Sequence, residues 1–154
     1  MKKGNSITSQ QLDEPFGVHL TLDAYGGSSE KLNDMKHCFA VLDKLPAQLD
    51  MHKIITPYVI DAPATSPKDQ GGISGFVMIA ESHISIHTFP DKGFLTADVY
   101  SCRPFDTEKT VAYFKEAFDL QEMEVQVIKR GLQFWRPLSQ KVLLRKSHQI
   151  SATA

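Results

Sequence analysis

A carboxylic acid, two hydroxyls and two imidazoles stand close together in Glu81-Ser82-His83-Ile84-Ser85-Ile86-His87, directly after the apolar run Phe76-Val77-Met78-Ile79-Ala80. A strand that only packs ends at a turn signal. Here the chain instead passes from Val77 and Ile79 into side chains able to attack or to move protons, then back to Ile84 and Ile86. The pattern reads as a reaction site built into a sheet. Alternate strand residues share a face, so His83, Ser85 and His87 project one way and Ile84 and Ile86 the other. His83 and His87 are then separated by roughly 13 Å at about 3.3 Å per residue, too far to close on one zinc ion, and no metal is expected. A second segment repeats the arrangement, with Ala97 and Val99 alternating with Asp98, Tyr100 and Cys102.

These residues resemble the prokaryotic-type pyruvoyl-dependent S-adenosylmethionine decarboxylases. The resemblance rests on Gly72-Ile73-Ser74-Gly75, on Glu81 through Pro90, and on Asp98-Val99-Tyr100-Ser101-Cys102, with the spacing from Ser82 to His87 to Cys102 kept. Element order is similar from about His19 to about Arg130. The resemblance implies self-processing, in which the Ser82 hydroxyl attacks the Glu81 carbonyl and turns an amide into an ester. His87 then removes the Ser82 α-hydrogen, and elimination and hydrolysis leave a pyruvoyl group at position 82 and two chains, 1–81 and 82–154. Ser74 matches a serine that supports processing. The pyruvoyl group is the one cofactor implied, an electron sink that forms a Schiff base with the substrate amine, and Cys102 is the implied proton donor after carbon dioxide leaves.

The substrate implied is S-adenosylmethionine, decarboxylated for polyamine (spermidine) synthesis, with Phe89, Asp91, Asp98 and Tyr100 as candidate contacts. Family members usually carry Trp-Pro-Glu where this chain has Phe89-Pro90-Asp91, and glycine where it has Arg103. The first departure alters aromatic stacking and shortens a carboxylate by one methylene. One alternative is the same machinery acting on arginine or ornithine, with Asp91 or Asp98 pairing the distal cation. Another is an inactive subunit regulating an active paralogue, against which the intact Ser82, His87 and Cys102 argue.

The elements that must hold these residues follow from periodicity. Val18, Leu20, Leu22 and Ala24 alternate as a strand, and after Ser28-Ser29 the positions Leu32, Met35, Phe39 and Leu42 recur at helical spacing. Residues 53–60 read as an edge strand because Pro57 cannot donate to a ladder, and strands follow at 73–80, 82–89 and 94–102. Asp106 and Glu108 open a helix with Val111, Phe114 and Phe118 buried, and Met123, Val125 and Val127 alternate in a last strand. The short connections require a largely antiparallel sheet. With both helices on one face, the expected fold is a two-layer α/β (α+β) sandwich over a single domain, 1–137, followed by a polar, basic extension, 138–154. The face bearing His83, His87, Tyr100 and Cys102 is expected to pair with a second copy as a homodimer in an α/β/β/α arrangement, also the arrangement of the family it resembles.

Composition narrows the partners. The chain has 154 residues, 42% of them hydrophobic, and a net charge of −1, so it can bury a core and carries no basic bias toward nucleic acid. No stretch approaches the roughly 18 apolar residues of a membrane span. Two cysteines, one read as a reactive thiol, suit a reducing cytoplasm. Gly71-Gly72-x-x-Gly75 lacks the pattern of a phosphate loop and reads as a turn entering a strand, and Cys38 beside His37 reads as helix packing.

Overall fold

The computed structural model describes residues 14–137, so the extension expected over 138–154 lies outside the described residues. The strands are β1 (Gly17–Tyr25), β2 (Tyr58–Ala62), β3 (Gly72–Ile79), β4 (Ser82–Phe89), β5 (Phe94–Ser101) and β6 (Glu122–Arg130), and the helices are α1 (Ser29–Leu32), α2 (Met35–Gln48) and α3 (Thr107–Phe118). All six strands join one sheet in the order β2-β3-β4-β5-β1-β6, each neighbouring pair antiparallel. Leu20, Leu22, Val77, Ile84, Ile86 and Val99 line one sheet face and pack with Leu42, Leu45, Phe114 and Phe118 of the helices in a single core. Each such side chain contributes about 1.5–3 kcal/mol by burial. Gly75 permits the closest approach, since a Cβ there would lie 2.6 Å from Leu42 Cδ1. At Gly71 and Gly72, φ is +83° and +151°, the turn into β3 that the sequence pattern indicates.

Two local expectations are corrected. The first helical stretch divides at Asn33, and Asp34 caps α2 by accepting the Lys36 and His37 N–H groups at 2.8 and 3.1 Å. That restart shifts the helical phase, so Cys38, Val41, Leu42 and Leu45 face the core while Met35 and Phe39 are exposed. The edge strand occupies Tyr58–Ala62 rather than 53–60, and Lys53 makes an isolated bridge to Ile79. Pro57 interrupts the ladder between them, having no N–H to donate. The expected last strand is present as β6, in which Met123 packs against the core and Val125 and Val127 are exposed at the outer edge of the sheet. The second expected helix matches α3: Asp106 accepts the Lys109 N–H at 2.8 Å, and Phe114 and Phe118 are fully buried.

Candidate active site

The β3–β4 hairpin sets the geometry. Ile79 pairs with Ser82, which leaves Ala80 and Glu81 as a two-residue turn. Ser82 has a φ of +154°, a conformation that L residues rarely adopt, so strain is stored at the Glu81–Ser82 junction. On its other side β4 pairs Ser82 with Ser101, which carries Cys102 alongside the turn. The Cys102 backbone N–H donates to the Glu81 carbonyl oxygen at 2.9 Å, a donor aimed where charge develops if that carbonyl is attacked. The Cys102 side chain is exposed.

Ser82 Oγ lies 3.1 Å from His83 Nδ1. The His83 ring is stacked on Phe76 at 5.7 Å and meets the edge of Tyr100 at 5.8 Å. Partial burial, helped by the charges of His19 and Arg130 and opposed by Asp98, lowers the His83 pKa below the ordinary imidazole value. A neutral ring can therefore receive the Ser82 proton. Sequence reasoning gave His83 a face but no role, because its contact depends on the backbone at Ser82.

A second group forms farther along the same strands. Ser74 and His87 face each other across the β3–β4 ladder, with Ser74 Oγ 2.9 Å from His87 Nδ1. Phe89 stacks against Phe94 at 5.5 Å, and Asp91 lies in the 3-10 turn that follows β4. His87 lies five residues along the strand from Ser82, roughly 16 Å at about 3.3 Å per residue. Along one chain His87 therefore lies far from the Ser82 α-hydrogen. Phe89 and Asp91 lie at the far end of β4, away from Ser82 and Cys102. Tyr100 lies opposite His83 near the hairpin, with the Arg130 guanidinium 4.3 Å above its ring. Asp98 already has a partner, His19 Nε2 at 2.9 Å.

The Glu81 side chain is only 5% exposed although it belongs to a hairpin turn. Its Oε2 accepts the His52 backbone N–H at 3.0 Å, its Oε1 accepts His52 Nδ1 at 2.8 Å, and Arg103 Nη1 stands 3.6 Å from the same Oε1. Burial works to raise the carboxyl pKa, but the His52 hydrogen bonds outweigh it and hold the group below its ordinary value. A cavity of about 480 Å³ adjoins this side chain, lined also by Met51, Ser101, Arg103, Phe105 and Lys109. Cys38 is buried in α2 and its thiol pKa is pushed up to about 12, mainly by burial. Among the described residues no helix is long and apolar enough to cross a membrane.

A six-stranded antiparallel sheet with helices on one face matches a known class of fold. A solved adenosylmethionine decarboxylase from Aquifex aeolicus is similar over 88% of this chain and 99% of its own, with a TM-score of 0.63 and 26% identity. The sequence model described as S-adenosylmethionine decarboxylase matches residues 18–131. An S-adenosylmethionine decarboxylase proenzyme from Clostridium botulinum (strain Langeland) is 35% identical over 116 residues, covering 75% of this chain and 94% of that protein. A proenzyme of the same name from Pyrococcus abyssi is 51% identical over 63 residues, 40% of this chain and 45% of that protein. The chain belongs to the S-adenosylmethionine decarboxylase family.

Proposed function

We propose that the chain cleaves itself between Glu81 and Ser82 to make a pyruvoyl group and then decarboxylates S-adenosylmethionine. The observation that carries this reading is the strained Ser82 beside a Glu81 carbonyl already held by the Cys102 N–H. His83 receives the Ser82 hydroxyl proton as Oγ attacks that carbonyl. The C–N bond breaks, the nitrogen takes up the proton as a free amine, and strain is relieved in the resulting ester. Loss of the Ser82 α-hydrogen then expels Glu81 as a carboxylate. The dehydroalanine left behind tautomerises, and water releases its nitrogen as ammonia.

The removal of the α-hydrogen needs a base, and His87, aligned by Ser74, suits that role from the neighbouring copy. The helix-free face supports such pairing, since Tyr58, Ile60, Phe76, Met78 and Ile128 are exposed there beside the polar cluster. Two such faces packed together complete each site, with Ser82 and Cys102 from one chain and the partner subunit's His87. Once formed, the pyruvoyl carbonyl supplies an electron sink for the carboxylate's bonding pair. Cys102, exposed beside position 82, delivers the proton that replaces carbon dioxide.

The family favours S-adenosylmethionine over a basic amino acid, and the ion pair of Asp98 with His19 leaves that carboxylate engaged. Incubating the purified enzyme with S-adenosylmethionine, arginine and ornithine tests the assignment. Decarboxylated S-adenosylmethionine is the expected product, and agmatine or putrescine formed in its place contradicts it.

A further inference from the structure

We propose that Arg103, acting with His52, is a positioning residue for self-cleavage that works through the Glu81 side chain. The inference rests on the self-processing reading above. A carboxylate at a hairpin tip is ordinarily solvated, and burying it is costly unless it is paired. Here both oxygens are engaged, Oε2 by the His52 N–H and Oε1 by the His52 ring and the Arg103 guanidinium. His52 also accepts the Ala80 N–H through its carbonyl at 2.8 Å, so it grips the turn at two points.

Arg103 is fixed by its backbone. Its N–H donates to Ser101 Oγ at 3.0 Å and its carbonyl accepts that hydroxyl at 2.7 Å, which shapes the segment that presents the Cys102 N–H. The side-chain anchor and the carbonyl donor thus hold Glu81 from both ends while Ser82 attacks. Elimination makes a second demand, because Glu81 departs as an α-carboxylate and then bears two negative groups on one residue. Arg103 supplies the nearby positive charge, in a cavity that Lys109 also lines. Arg103 is 64% exposed and so is free to turn from the side-chain carboxylate toward the new terminus.

The experiment follows cleavage of the full chain in a cell-free translation reaction, reading intact precursor, cleaved chains and hydroxylamine-labile ester over time. Arg103→Ala is expected to cleave roughly two- to fivefold more slowly, in keeping with an exposed ionic contact, and to accumulate ester. Arg103→Lys restores part of the rate because it keeps the charge. Glu81→Gln, which loses charge-assisted hydrogen bonds, is expected to slow cleavage about tenfold or more. The same substitutions placed on an uncleavable Ser82→Ala chain report folding separately by thermal melting. A wild-type chain that cleaves while Arg103→Ala cleaves at the same rate and without excess ester overturns the inference alone. Slowing that tracks a lowered melting temperature and is not rescued by lysine also overturns it. A wild-type chain that stays whole overturns the self-processing reading and this inference with it.

Discussion

At Ser82, backbone strain, a proton acceptor and a polarised carbonyl coincide within one turn. The donor to that carbonyl is the Cys102 N–H, whereas the proposed proton donor in turnover is its thiol, so one substitution separates the two tasks. Cys102→Ala keeps the N–H and is expected to cleave, yet to lose about 10²-fold or more in decarboxylation, the usual scale of a general acid. Gel analysis of chain cleavage beside a carbon dioxide release assay reads both, and an alanine variant with full turnover contradicts the assignment. His87→Ala is expected to stall at the ester, where hydroxylamine still cuts the chain, and normal processing of that variant removes His87 from the mechanism. Ser82, His87 and Cys102 could be named as candidates from the sequence because their types and spacing are written locally. The His52 and Arg103 contacts to Glu81 were not, since they join residues brought together only by the sheet register.

The hairpin between β3 and β4 carries a pH signature. Its Glu81 carboxyl has a folded pKa below the ordinary value of 4.5, so its stabilising contribution is present above that value and is lost as pH falls through the lower folded value. In a Ser82→Ala chain, which stays uncut, Glu81→Gln is expected to flatten the acid limb of stability against pH, measured by urea unfolding. An unchanged acid limb contradicts the anchored carboxylate. Gly75→Ala tests the packing behind the hairpin and is expected to cost about 1–3 kcal/mol by overpacking against Leu42. Strand order was readable here because alternation and short turns constrain an antiparallel sheet closely. Helix phase was less so, because Asp34 restarts the helix and turns Met35 and Phe39 outward where uninterrupted spacing puts them in the core.

For the whole molecule, the separation of Ser82 and Cys102 from Ser74 and His87 along β4 underlies the proposal that two copies share each site. Expressed alone, Ser82→Ala lacks the nucleophile and His87→Ala lacks the base. Coexpressed, they are expected to form mixed dimers in which the His87→Ala chain matures, because it meets the partner subunit's His87. A His87→Ala chain that stays unprocessed in an isolated mixed dimer contradicts the shared site. The face that carries His83, His87 and Tyr100 was legible from its alternating pattern, whereas the Cys102 N–H contact to the Glu81 carbonyl was not, because it depends on the β4–β5 register. The most direct test of the account is intact-mass spectrometry of the purified protein. It predicts one chain ending at Glu81 and a second beginning at position 82 with a pyruvoyl group in place of a free amine, whereas an active preparation consisting only of the uncut chain contradicts it.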